Sequence, residues 1–144
     1  MAVRPGRLFI DTWGWLVLAD ANDPAHQDAV RVRRSHAGSG SLVTSDYVLD
    51  ETITRLFSRS TFELARTFCE RILAAQTVGL LSIENITPDR FHNAWKLRIR
   101  YRDKPQISFT DLTSFVVMQE LRVHQVLTAD SHFTKVRLGF RILP

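Results

Sequence analysis

The chain has 144 residues, 44% hydrophobic and 24% charged, with only 6 Gly and 5 Pro. That length and balance predict one domain over residues 1–144 that buries a core without staples, and they exclude disordered, collagen-like and low-complexity classes. The net charge of +4 comes from 16 Arg and 3 Lys, a bias that leans towards phosphate partners or reflects base composition.

In chain order, Leu8, Phe9 and Ile10 form a short apolar run that reads as a buried strand ending at Asp11. Residues 12–19 are apolar on nearly all sides, as in a buried helix start. Residues 20–24 read as a turn, 25–36 as a helix with Arg31, Arg33 and Arg34 outward, 38–41 as a Gly-Ser loop, and 42–44 as a second strand. Val48, Leu49, Thr52, Ile53, Leu56 and Phe57 recur at helical spacing and predict an amphipathic helix over 45–58. Ser60 and Glu63 have the spacing of a capping box that opens a helix to about residue 75, and 78–83 read as a strand. Thr87, Pro88 and Asp89 stand in the order a helix start prefers, which predicts a helix over 88–101. Residues 103–107 form a loop, Thr110 caps a helix over 111–121, residues 125–128 make a strand just before Asp130, and 140–143 add a last one. Short apolar strands alternating with helices predict a three-layer α/β domain around a central parallel sheet, without repeats or linkers.

Cys69 is the one cysteine, and no CxxC or Cys/His cluster is present to hold zinc or an iron–sulfur centre, so a reducing, cytoplasmic setting is expected. Arg4 and Arg7 precede an apolar stretch, but Asp11 breaks it and Asp20 ends it, so neither a leader nor a membrane span is expected. No Gly-rich phosphate loop and no GxSxG elbow occur. A phosphotransfer domain with a nucleophilic Asp usually carries a second acid adjacent to the first or two positions after it, whereas here Phe9 and Ile10 precede Asp11 and Trp13 follows.

The acids fall at element ends. Asp11 follows the first strand and Asp130 a late one, and in an open parallel sheet the carboxyl ends of strands border the ligand crevice. Asp111 stands at a helix start. Taken singly each has a plain structural reading: a helix cap for Asp11, a helix-dipole partner for Asp111, a turn residue for Asp130, and a solvent-facing position for Glu51. If they meet, two carboxylates ~5 Å apart repel by about 3 kcal/mol at an effective dielectric near 20, which favours protonation or a divalent cation. Oxygen ligation of this kind suits Mg²⁺ or Mn²⁺.

Four segments in order carry a resemblance: Phe9-Ile10-Asp11-Thr12, Val43 through Thr52 with Glu51, Ser108-Phe109-Thr110-Asp111, and Leu127-Thr128-Ala129-Asp130-Ser131-His132-Phe133. They resemble the acidic motifs of PIN domains, especially VapC-type toxin ribonucleases, and the likeness runs from Leu8 to the last residues. The resemblance implies a PIN-like α/β/α fold and a divalent-metal-dependent endoribonuclease, the toxin of a toxin–antitoxin pair. By position, Asp11, Glu51, Asp111 and Asp130 match the catalytic acids; Asp11, Asp111 and Asp130 the ligands of Mg²⁺ or Mn²⁺; and Thr12 and Thr110 supporting positions. Trp13 departs from the small residue usual two places after the first acid. The resemblance also implies an RNA substrate, a small antitoxin seated on helices of the 61–75 region, and a homodimer.

Arg98, Arg100 and Arg102, interleaved with Tyr101, read as an RNA contact strip or as a solvated helix face. Arg55 and Arg59 share a face with Glu51, either to pair with it or to reach a nucleic-acid backbone. His132 near Asp130 reads as a substrate contact or a structural residue, and Cys69 as a small buried hydrophobe. The competing reading is a catalytically silent PIN-like module that binds RNA or protein.

Overall fold

A computed structural model describes residues 6–144; Arg4 lies outside the described residues. In chain order the elements are β1 (Leu8–Ile10), α1 (Thr12–Ala19), α2 (His26–Ser35), β2 (Leu42–Ser45), α3 (Asp46–Arg59) and α4 (Phe62–Thr77). They are followed by β3 (Leu81–Glu84), α5 (Pro88–Arg100), α6 (Phe109–Leu121), β4 (Gln125–Leu127), α7 (His132–Lys135) and β5 (Arg141–Leu143). The strands form one sheet in the order β3-β2-β1-β4-β5, and every pairing is parallel. Parallel neighbours require crossovers, and the helices between strands supply them, which bears out the three-layer expectation. Among the described residues no helix is long and apolar enough to cross a membrane.

The core explains the short apolar runs. Leu8, Phe9 and Ile10 in the central strand are fully buried, as are Val126 and Leu127 of β4, so these strands read as continuous apolar stretches without alternation. Phe115 of α6 and Phe133 of α7 meet edge to face at 5.0 Å between ring centroids and tie these helices together beneath the sheet edge.

Several boundaries differ from expectation by a residue or two, and the capping chemistry says why. The α4 cap is Thr61, whose hydroxyl accepts from the Leu64 N–H, so the Ser60–Glu63 reading was one place early. Likewise α6 is capped by Ser108, which accepts from the Asp111 N–H at 3.0 Å; Thr110, the expected cap, is the second residue inside the helix. The strand read over 78–83 begins at Leu81, because Val78 and Gly79 still close the end of α4 on the Ala74 and Gln76 carbonyls. The four-residue α7 was not anticipated; it is shorter than one periodic repeat of apolar residues.

Gly14 lets α1 lie against the sheet. A Cβ there would meet the Leu127 carbonyl oxygen at 2.6 Å and the Leu127 Cγ at 3.0 Å. Gly14→Ala is therefore expected to destabilise the protein by about 1–3 kcal/mol despite its better helix propensity. Urea unfolding checks this, and an unchanged or higher midpoint would contradict it.

Candidate active site

The sheet order places the crevice. From β1 the chain passes to β2 on one side and returns to β4 on the other, so the carboxyl ends of β1 and β4 flank the switch point where ligands bind in open α/β sheets. Asp11 follows β1 and Thr128 follows β4. Because α6 runs back before β4, its first turn lies at the same edge and delivers Asp111, while α3 leaves β2 there and carries Glu51 in its second turn.

The backbone fixes Asp11 between elements. Its N–H donates to the Leu127 carbonyl at 3.3 Å, and its own carbonyl accepts the first α1 bond from Trp15 at 3.1 Å. Asp11 thus occupies the N-cap position, yet its side chain makes no cap hydrogen bond to the first turn. Its Oδ2 instead accepts from the Thr128 hydroxyl at 2.9 Å. The Thr128 hydroxyl in turn accepts from the Asp130 N–H at 3.1 Å, while the Thr128 N–H is held by the Leu143 carbonyl of β5 at 3.1 Å. One threonine therefore sets both Asp11 and the turn that presents Asp130. In the sequence Thr128 lies within the last acidic motif with no role of its own, and the signal for it is a hydroxyl residue two places before a candidate ligand.

Asp130 accepts from the His132 N–H at 2.9 Å, a local turn that aims the His132 ring back at the acids. The imidazole Nδ1 lies 3.1 Å from Asp130 Oδ1 and 3.9 Å from Asp111 Oδ2, buried and without an aligned hydrogen bond. Donor atoms of Asp111, Asp130 and His132 all fall within 4.8 Å of one another. His132 therefore stands in the tight cluster, whereas Asp11 joins through Thr128 and through its charge.

The electrostatics agree with that crowding. Burial pushes the Asp11 carboxyl up to about 6, with the Thr128 hydroxyl and the nearby Thr12 backbone opposing the rise and the charges of Asp130 and Glu51 adding to it. Burial likewise pushes Asp111 up to about 8, followed by the charges of Asp11 and Asp130. Among the described residues no Lys or Arg pairs with Asp11, Asp111 or Asp130. Glu84 and Asp46, which also stand at strand ends, differ: Glu84 pairs with Arg90 at 3.3 Å, and Asp46 accepts from the Tyr47 and Ile86 N–H groups. Glu84 is thus neutralised by an arginine, whereas the acids at the β1–β4 crevice have hydrogen bonds but no Lys or Arg partner among the described residues.

Glu51 is half-buried and pairs with Arg55 at 2.6 Å, one helical turn away. It reads from the sequence as solvent-facing, yet it is close enough for its charge to act on Asp11. Thr12 is buried and its hydroxyl has no partner among the described residues. Thr110 uses its carbonyl to accept from the Thr113 and Ser114 hydroxyls inside α6. Trp13 lines a cavity of about 690 Å³ between α1, α3 and α4, together with Arg55, Arg59, Leu64 and Phe68.

The arginine strip divides. Arg98 is not an open phosphate contact: its guanidinium donates to the carbonyls of Tyr101, Lys104 and Ile107 at 2.6–2.7 Å, clamping the loop after α5. Arg100 and Arg102 are exposed. Cys69 is half-buried, and burial pushes its thiol up, away from nucleophilic use.

Comparison with known proteins gives a consistent picture. The PIN domain family model matches residues 8–138. Over 130 residues the chain is 32% identical to the 23S rRNA-specific endonuclease VapC20 of Mycobacterium tuberculosis, covering 88% of this chain and 92% of that one. The crystal structure of Mycobacterium tuberculosis VapC20, described as a Sarcin-Ricin loop cleaving toxin, aligns with a TM-score of 0.78 and 30% identity over 95% of this chain and 99% of that one. FitAcB from Neisseria gonorrhoeae shares the fold, with a TM-score of 0.68 and 13% identity over 95% and 96% of the two chains.

Proposed function

The chain belongs to the PIN domain family, and from that premise we propose that it is a divalent-metal-dependent endoribonuclease, the toxin of a toxin–antitoxin pair acting in the cytoplasm. The observation that carries this reading is the gathering of Asp11, Asp111 and Asp130, with no Lys or Arg partner among the described residues, at the β1–β4 switch point. The donor set fits a hard divalent ion: carboxylates crowded enough to hold protons, and a buried imidazole nitrogen beside them without an aligned hydrogen bond.

In this reading Asp11, Asp111 and Asp130 hold Mg²⁺ or Mn²⁺, with His132 offering a nitrogen beside them. The bound ion supplies charge stabilisation at the phosphate and a more acidic water. The chain's own residues set the geometry: Thr128 fixes the Asp11 carboxylate and the Asp130 turn, and Ser108 fixes the first turn of α6 under Asp111. Glu51, on α3 and paired with Arg55, would orient or deprotonate the attacking water. Thr12 and Thr110 support the pocket wall. Arg100 and Arg102 remain open for RNA.

Two surfaces suit the partners this function entails. The cavity between α1, α3 and α4, beside the exposed Phe62 and Leu64 of α4, is the seat we assign to an antitoxin segment. Phe91, Trp95 and Ile99, exposed at four-residue spacing on α5, make the apolar stripe we assign to a second copy.

The test is RNA cleavage by the purified protein. Chelation is expected to abolish it, Mg²⁺ or Mn²⁺ to restore it, and Asp11→Asn to lower it about 10²–10³-fold with the fold intact by circular dichroism. Cleavage that survives chelation, or full activity in the variant, would overturn the proposal.

A further inference from the structure

Beside the acidic crevice the structure builds a feature of opposite charge. A cavity of about 740 Å³ lies between the end of α5 and the segment of α7, walled by Arg100, Lys104, Lys135 and Arg137 around Tyr101 and Val136. Of the four cations only Lys104 has an acidic partner among the described residues, Asp103 at 2.7 Å. The groove is therefore strongly positive.

It is also held in shape. Tyr101 is buried, and its hydroxyl donates to the Val136 carbonyl at 3.2 Å, joining the two walls. The Arg100 guanidinium and the Lys104 ammonium lie 5.6 and 5.8 Å from the Tyr101 ring centroid, so one aromatic ring attracts both. Arg98 pins the intervening loop through its three carbonyls. On the opposite wall Arg137 adopts a left-handed backbone, φ 53°, which ends α7 sharply at the groove. The groove adjoins the acids because α7 joins the two: His132 is its first residue and Lys135, its last, lies about 4–5 Å further along the axis at the helical rise.

We propose that this groove binds the phosphodiester backbone of the RNA flanking the bond that is cut. The proposal rests on the ribonuclease reading and deepens it. A cluster of buried carboxylates repels a polyanion, so a nuclease with such a centre needs its affinity for the strand from cations placed to one side. Guanidinium forks match phosphate oxygens bidentately, and a chain of evenly spaced charges suits four cations around one groove better than a single anion does. The +4 net charge of the protein thus acquires a location.

The test uses a fluorescein-labelled RNA hairpin, with binding followed by anisotropy at several salt concentrations. Asp111→Asn protein in EDTA keeps the RNA intact. Adding Lys135→Gln and Arg137→Asn, the latter chosen because asparagine tolerates the left-handed backbone, is expected to weaken binding about 10-fold at low salt and make the log–log salt slope shallower by about 1–2. The same charge change on α2, Arg33→Gln with Arg34→Gln, is expected to leave both within about twofold. Equal slopes in parent and groove variant would overturn the proposal. So would equal losses in the groove and α2 variants, which would show bulk charge only, or a loss of poly-glutamate binding with RNA binding unchanged, which would assign the groove to an acidic protein. The underlying reading is judged separately, on wild-type protein: failure to cleave RNA with Mg²⁺ or Mn²⁺ would remove the ribonuclease and this proposal together.

Discussion

Asp111→Asn is expected to raise the unfolding midpoint of the metal-free protein while lowering RNA cleavage at least about 10²–10³-fold. The two effects have one cause. Asp111 is buried at the edge where Asp11 and Asp130 already place negative charge, and its carboxyl is pushed up to about 8 by burial and then by those neighbours. Folding metal-free protein at neutral pH therefore requires either a proton taken up against a lower unfolded affinity or a charge buried among like charges. Asparagine has nearly the same shape, needs neither, and keeps the backbone N–H that Ser108 caps. A gain of the order of 1–3 kcal/mol follows, which for a chain of this size is several degrees in Tm. If Asp111 served only the helix dipole, the same substitution would cost about 0.3–1 kcal/mol and leave cleavage untouched. Calorimetry in EDTA with a cleavage assay on the same preparation separates the two readings, and a lowered midpoint with retained activity would end the case for Asp111 at the site.

How far this site could be read from the sequence depends on what each residue answers to. Asp11 was legible because a fully apolar strand stops abruptly at a charge, and burial on both faces leaves such a strand no alternation to confuse the reading. The parallel sheet followed from the same logic. Glu51 reads as solvent-facing because periodicity ranks positions by distance from the apolar stripe of α3 and carries no information on what the polar side borders; the motif resemblance is what singles it out. Arg98 read as an exposed cation because a guanidinium that folds back on three carbonyls of the next loop leaves no periodic trace. His132 and Thr128 escaped a firm assignment for a related reason. Their roles come from a turn only a few residues long, where hydrogen bonds to Asp130 and Asp11, not periodicity, set the geometry.

In EDTA, the stability of the folded protein is expected to fall as pH rises from about 4 to about 9, and millimolar Mn²⁺ or Mg²⁺ is expected to reverse most of that fall. The direction follows from which state holds more protons. The ordinary value for both carboxyls is 3.8, whereas the folded protein holds its proton on Asp11 up to about 6 and on Asp111 up to about 8. Across that window the folded state binds protons that the unfolded chain has released. Its advantage is complete below pH 3.8 and is lost as pH rises through the two folded values. Each proton of difference erodes stability by about 1.4 kcal/mol per pH unit. A divalent cation binds the ionised cluster, so it competes with those protons and contributes more at pH 8 than at pH 5. Urea unfolding at several pH values, with and without the ion, measures both slopes. Asp11→Asn combined with Asp111→Asn should flatten the EDTA profile and remove the cation's effect, isolating these two groups from every other titrating residue. Stability that climbs with pH in EDTA, or a cation effect that survives in the double variant, would mean that the carboxylates are not crowded as their positions at the β1–β4 edge require.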